Sequence, residues 1–273
     1  ILADGPLPVD EIAVRTGTHA PTLYRVMRAL ASVGIFAQNE NGRFQLTPLA
    51  QCLQTGAMRS TALMFQSQWN DRAWEHLTET VRTGRTAFET AHGMPLFQWL
   101  EHHPEEAEIL SRANSVKATA THRAIVDVYD FSHIRSLTDV GGGYGALMAE
   151  ILEANPSMTG IVADLPPVVE KAEAFIKEKG LEQRCKTGEI DFFQSVPSGS
   201  DAYLLSHVLH DWTDQQCHRI LSNIRAAMKP GAKLLIVEML VPPGNQPSVA
   251  KLLDLEMLVI TGGKERTETE YKT

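Results

Sequence analysis

The sequence predicts an α/β protein: a Rossmann-like, mostly parallel, doubly wound sheet preceded by an all-helical domain of winged-helix type. Three observations carry that expectation. From residue 137 onward, short apolar runs alternate with helical segments, the rhythm of βαβ units. The string Asp139-Val140-Gly141-Gly142-Gly143-Tyr144-Gly145 closes the first of these runs and opens a helix. Residues 1–56 hold two amphipathic helical stretches and a hairpin pattern, with four acids (Asp4, Asp10, Glu11, Glu40) balanced by four bases (Arg15, Arg25, Arg28, Arg43).

The elements follow in order. Residues 8–16 set Val9, Ile12 and Ala13 at helical spacing until Thr16-Gly17 breaks the run. A second helix over 20–33 carries Leu23, Val26, Met27 and Leu30 on one face and stops at Gly34. Residues 35–37 and 43–46, joined by Asn39-Glu40-Asn41-Gly42, read as a hairpin, the wing. Residues 57–130 are mostly helical, with bulk from Trp69, Trp74, Leu77 and Val81, breaks at Gly84 and Gly93-Met94-Pro95, and a long helix from Pro104 to about Tyr129. Strands are expected over 137–140, 160–163, 202–208 and 233–240, with a weaker one over 186–191. Helices over 146–154, 166–179 and 214–228 separate them.

Composition narrows the function. The 273 residues suffice for one large or two smaller domains, and 43% hydrophobic residues argue against disorder. Acids outnumber bases 33 to 25, and because residues 1–56 are neutral the whole net charge of −8 lies beyond them. That balance disfavours phosphate binding. No apolar run reaches the ~18–20 residues that span a bilayer. The three cysteines, Cys52, Cys185 and Cys217, form neither a disulfide framework nor a paired metal pattern, so a reducing cytoplasm is the expected compartment.

The glycine loop is the first candidate site. Glycines there let the backbone turn tightly and approach a ligand. Nineteen residues past Gly145, Asp164 ends the second strand, where an acid accepts from ribose hydroxyls. Gly141, Gly143 and Ala146 formally match the dinucleotide fingerprint as well. Asp139 weighs on the choice: a carboxylate there repels a pyrophosphate and suits an ammonium or sulfonium, which favours S-adenosylmethionine over NAD. A bare strand–helix turn is the structural alternative. At the third strand's end, Asp191 suits an adenine amino group and Phe192 its ring; an acidic turn with a core aromatic explains the same residues.

The second candidate is the string Ser206-His207-Val208-Leu209-His210-Asp211-Trp212, which leaves the fourth strand at the carboxyl end where open α/β sheets bind ligands. An imidazole, with an unperturbed pKa of ~6.5, suits general-base work. Glu238, near the end of the fifth strand, and Glu265, in Gly262-Gly263-Lys264-Glu265-Arg266-Thr267, are placed to converge on His210 and orient it. A metal site is not expected: His207, His210, Cys217 and His218 match no ligand spacing, and on a strand His207 and His210 face opposite to skewed directions. Met257 and Ile260, before the Gly262-Gly263 turn, are candidates for the acceptor pocket and equally for core.

Together these residues resemble the S-adenosylmethionine-dependent small-molecule O-methyltransferases, the family of caffeate, acetylserotonin and phenazine O-methyltransferases. The likeness covers essentially the whole chain, and its most specific strings are His210-Asp211-Trp212 and Gly262 to Thr267. The resemblance implies His210 as general base between Glu238 and Glu265. It implies Asp139, Gly141, Gly143 and Gly145 around the methionine part of the cofactor, Asp164 with Leu165 on the ribose side, and Asp191 with Phe192 at the adenine. It implies Asn114, Asp211, Met257 and Ile260 on the acceptor side. It also implies a dimerisation domain over 1–103, making a homodimer and binding no DNA, and a catalytic domain over 104–273. Two departures stand out: Ser206 replaces the lysine of the plant enzymes, and Asn114 stands where relatives often carry methionine, which suggests a more polar acceptor.

The implied reaction is in-line displacement at a sulfonium methyl by a phenolic or enolic hydroxyl of an aromatic or polyketide-like acceptor, with no metal. A phenol at pKa ~10 facing an imidazole at ~6.5 makes full proton transfer unfavourable by roughly 4–5 kcal/mol in water. One rival is a relative on the same fold that has lost methyl transfer for hydroxylation, decarboxylation or a pericyclic step. Another is a transcription regulator, whose recognition helix offers phosphates only Arg25 and Arg28. Ile1 is expected to begin inside a first helix and Thr273 to end before two further strands, so a longer chain is anticipated.

Overall fold

The structure, a computed structural model, describes residues 1–54 and 58–272, and the side chains of all of these except 115–120. The chain packs as two units, Ile1–Phe65 with Ile109–Val116, and Gln66–Glu108 with Lys117–Thr273.

In the first unit, helices Val9–Thr16 and Ala20–Ser32 are followed by strands β1 (Phe36–Gln38) and β2 (Phe44–Leu46), paired antiparallel with Phe36 opposite Leu46. Gly17 ends the first helix in the left-handed region. Phe44, fully buried, joins Ile12 and Met27 at the centre, with Leu23, Tyr24 and Phe36 packed around them. Leu7 exchanges both backbone hydrogen bonds with Phe44, at 3.0 and 2.9 Å, adding an edge to the wing. This unit is therefore not all-helical: its core needs the hairpin to supply Phe44.

The second unit is built on β3 (Ser136–Val140), β4 (Thr159–Asp164), β5 (Cys185–Glu189), β6 (Ala202–Ser206) and β7 (Lys233–Val237), in the order β5-β4-β3-β6-β7, all neighbours parallel. Each βα crossover returns the chain to a parallel neighbour. Helices Ala146–Ala154 and Pro166–Glu178 cover one face, where Met148, Ile151, Leu152, Ala172 and Ile176 meet Leu137 and Leu204. Helix Asp214–Ala227 covers the other, where Ile220 and Ile224 meet Val140, Tyr203 and Leu205. Two-residue alternation in β3 and β6 divides these side chains between the faces. The sheet runs outward from β3 in both directions, so its switch point lies between β3 and β6, where such folds open a cleft.

The expected division after residue 103 differs from the packing. Trp69, Phe88 and Trp99 make an edge-on and tilted aromatic cluster with centroids 5.7–6.3 Å apart. Beside it, Asn70 and Trp74 donate to the buried Glu256 at 2.6 and 2.9 Å. Apolar and polar anchoring together draw residues 66–108 into the sheet-bearing unit.

Candidate active site

Both strands that flank the switch point end in the segments singled out from the sequence. After β3, Gly141 donates to Ala163 O at 2.8 Å and turns the chain. Its φ is +73°, and a Cβ there would stand 2.9 Å from Val208 Cγ2 and 3.7 Å from Phe192 Cε1. Only glycine satisfies both the backbone angle and the contact. The loop thereby meets the exits of β5 and β6. Asp164 holds it from the other side, Oδ2 accepting from Gly143 N at 2.9 Å and Oδ1 from Leu165 N at 2.7 Å. Burial raises the Asp164 pKa against these two bonds.

Asp139 lies beneath the turn, 1% exposed, its carboxyl packed under Gly142. Among the described residues its Oδ1 has no hydrogen-bond partner. Burial, and secondarily Asp164, pushes its pKa up to about 7. Asp191 is exposed and caps its own turn, accepting from Phe193 N at 2.9 Å and Gln194 Nε2 at 2.8 Å. Phe192 packs edge-on to Trp212, centroids 5.9 Å apart, beside the glycine loop.

β6 ends at Ser206, two residues earlier than the sequence suggests, because His207 takes φ 55°, a value no other described non-glycine residue shares in sign. The chain then winds through a 3-10 turn, Leu209–Asp211. Glu238, just past β7 and 1% exposed at its side chain, organises this turn. Its Oε1 accepts from Val208 N at 3.0 Å and Leu209 N at 2.8 Å, and its Oε2 accepts from His210 Nδ1 at 2.8 Å. Glu265 Oε1 lies 3.7 Å from the same Nδ1, and Asp211 Oδ1 lies 3.7 Å from Nε2. The left-handed residue also changes the relation of the two histidines: His207 Nδ1 stands 3.9 Å from the Glu238 Oε2 that His210 bonds, so they do not diverge as on a strand.

The charges respond to this crowding. Burial alone would lower the His210 pKa, but Asp211, the bond to and charge of Glu238, and Glu265 outweigh it and hold it at about 9. Burial works against the charge on Glu238, yet the bond and charge of His210 keep its carboxyl below the ordinary range. Glu265 is pushed up to about 7 and Asp211 to about 6, burial leading in both.

Two further residues, quoted in the sequence but not singled out there, hold the turn in place. Arg266, 4% exposed, donates to Leu209 O and Trp212 O, each at 2.9 Å, and to Asp214 Oδ1 at 2.8 Å. Gly263 packs so closely that a Cβ would stand 2.0 Å from His210 O. Two residues on, Asp254 fixes Glu265 by accepting from its backbone N at 2.9 Å. Arg266→Ala removes the guanidinium from two enclosed carbonyls and is expected to cost about 2–4 kcal/mol in urea unfolding. Arg266→Lys recovers little of it, because an ammonium does not reproduce the fork.

Of the other expected residues, Ser206 and Met257 are half-buried and Ile260 is buried at 4% exposure, where a core role suffices to explain it. Asn114 belongs to the first unit and is exposed.

Residues 74–273 match the model of the O-methyltransferase domain, and residues 1–56 that of the O-methyltransferase dimerisation domain. The chain belongs to the O-methyltransferase family. It is 43% identical over 276 residues to the phenazine O-methyltransferase PhzM of Lysobacter antibioticus, covering 100% of this chain and 81% of that protein. It is 38% identical to the mitomycin biosynthesis 6-O-methyltransferase of Streptomyces lavendulae, over 99% of this chain and 78% of that one. The crystal structure of NcsB1 from neocarzinostatin biosynthesis, solved with S-adenosylmethionine and 2-hydroxy-5-methyl naphthoic acid, superposes with a TM-score of 0.85 at 29% identity, covering 99% of this chain and 82% of that one. This methyltransferase thus uses S-adenosylmethionine as its cofactor. Among its described residues no helix is long and apolar enough to cross a membrane.

Proposed function

We propose that this chain moves the methyl group of S-adenosylmethionine to a phenolic or enolic hydroxyl of a small aromatic or polyketide-like acceptor, with His210 as general base. The observation that carries this reading is the 2.8 Å bond from His210 Nδ1 to the buried Glu238. It keeps a proton on Nδ1 and leaves Nε2 as the nitrogen that accepts one.

The residues around the loop fit the cofactor. The unpartnered, buried Oδ1 of Asp139 wants a donor or a cation, as an amino-acid ammonium offers. Gly141, Gly143 and Gly145 keep side chains off the methionine part, Asp164 and Leu165 receive the ribose, and Phe192 with Asp191 takes the adenine, once the Asp191 carboxylate releases Gln194. Ser206 adds a hydroxyl there. When bound, S-adenosylmethionine supplies a methyl group activated by its sulfonium charge. His210 Nε2 takes the hydroxyl proton as the acceptor oxygen attacks, and Glu238 and Glu265 stabilise the imidazolium. Asp211, Met257 and Ile260 belong to the acceptor side. Residues 1–56 serve as the contact of a homodimer, a role supported by the dimerisation-domain match and by the exposed Val14, Val33 and Leu49.

The raised basicity of His210 alters the energetics. Against a phenol at pKa ~10, an imidazole at about 9 faces a deficit of only ~1.4 kcal/mol. The cost is protonation of the free enzyme at neutral pH. Because the base must be unprotonated, kcat/KM is expected to rise with pH and level off near 9 at limiting cofactor. His210 gives up its proton more readily beside a cation, so saturating cofactor moves this limb to lower pH. Glu238→Gln moves it toward the ordinary imidazole value and lowers the plateau.

Transfer of labelled methyl from S-adenosylmethionine to a panel of phenols, naphthols and hydroxyphenazines tests the reading. Label in an ether product is expected; cofactor consumption without methylated product, or no turnover of any hydroxyl acceptor, overturns it.

A further inference from the structure

We infer that His207, His210 and Glu238 form a binding site for a borderline divalent transition-metal ion of the Zn²⁺ type, and that occupancy of this site switches the base off. One nitrogen from each histidine and one Glu238 oxygen lie within 4.8 Å of one another. Two imidazoles and a carboxylate are a donor set zinc takes at three protein ligands, with a fourth position left open. Tetrahedral bonds of about 2.0–2.1 Å require ligand atoms roughly 3.3 Å apart. The two separations from Glu238 Oε2, 2.8 Å to His210 Nδ1 and 3.9 Å to His207 Nδ1, bracket that value. Small side-chain shifts therefore suffice.

The left-handed backbone of His207 is the second observation. A non-glycine residue at φ 55° is strained and persists only where its surroundings enforce it. Methyl transfer as derived above makes no use of this ring. Extended backbone at this position would send alternate side chains to opposite faces of the sheet. The turn instead brings both Nδ1 atoms within 3.9 Å of one oxygen.

The consequence for catalysis follows from proton placement. The ion bonds Nδ1 of His210; the imidazolium releases its Nδ1 proton to solvent and keeps the proton on Nε2. The nitrogen that should accept the hydroxyl proton becomes a donor, and Glu238 is drawn from the ring to the ion. The site itself stands on geometry; its inhibitory effect rests on His210 being the base.

Co²⁺ titrated into the chelator-stripped full chain serves as the probe. A saturable visible absorption of tetrahedral Co²⁺ at one ion per chain is expected, abolished by excess Zn²⁺. His207→Asn, whose side chain tolerates left-handed backbone, and His207→Gly, which relieves it, should both lose the band. Loss of one of three ligands weakens binding by more than the roughly 10–100-fold that removal of an outer partner costs. Zn²⁺ inhibition of methyl transfer, taken for each protein relative to its own rate in chelator, should shift by the same factor. An unchanged band in both folded variants, or none in the parent, overturns the site. A band that depends on His207 in a protein showing no methyl transfer keeps the site and removes the catalytic reading.

Discussion

His210→Asn is expected to lower kcat by about 10²–10⁴-fold, the range a general base supplies, while leaving the KM for S-adenosylmethionine and the unfolding transition nearly unchanged. The reason lies in what asparagine keeps. Its amide nitrogen takes the place of Nδ1 and preserves a donor for a carboxylate that is 1% exposed and that otherwise, among the described residues, accepts from Val208 N and Leu209 N. It offers no nitrogen able to carry the acceptor's proton. His210→Ala removes the base and the donor together, so it should lose a similar factor in kcat and about 1–3 kcal/mol of stability besides. The two substitutions separate chemistry from architecture: equal kcat losses with unequal urea midpoints are the expected pattern. A rate for His210→Asn within a few-fold of the parent at saturating acceptor would remove His210 from the reaction.

Gly263→Ala is expected to be the most damaging single methyl group in the site. The added carbon would stand 2.0 Å from His210 O, 2.5 Å from Asp211 C and 2.8 Å from Trp212 N. All three are backbone atoms, so no side-chain rotation relieves the overlap. Either the turn Leu209–Asp211 moves or the segment after helix Val249–Ile260 does, and both carry groups of the base: the first His210, the second Glu265. A loss of about 3 kcal/mol or more is expected, together with a large fall in kcat and an apparent pKa on kcat/KM moved from that of the parent. Gly84→Ala is the control. Gly84 has positive φ, at +73°, which Gly263 does not, and nothing lies within 4 Å of its added Cβ, so about 1 kcal/mol is expected from the backbone angle alone. A cost at position 263 no larger than that at Gly84 would show that the approach to His210 O is relieved by small backbone shifts and does not govern the position.

Local periodicity located most elements. The helix expected over 146–154 is Ala146–Ala154, and that expected over 166–179 ends at Glu178. The wing hairpin is displaced by one residue. Strand ends were less legible: β6 and β7 stop at Ser206 and Val237, before their apolar runs do. Val208 and Leu209 are as apolar as strand residues, but their backbone N–H groups are taken by the Glu238 side chain. A side chain 30 positions away leaves no local trace in the run it terminates. Arg266 shows the same limit. A buried arginine reads as a surface charge until the Leu209 and Trp212 carbonyls it serves are in view.

By itself the amino-acid sequence determined the βα alternation, the glycine loop with Asp164 behind it, the neutral winged-helix segment and the family, because these depend on spacings of a few residues or on short strings. The tertiary structure decided the rest. It set the strand order that opens the cleft between β3 and β6 and drew residues 66–108 to the sheet-bearing unit through Glu256 and the tryptophans. It turned His207 onto Glu238 and raised the basicity of His210 to about 9. Each of these is a property of groups distant along the chain and close in a low-dielectric interior, where burial and neighbouring charge decide direction and protonation together.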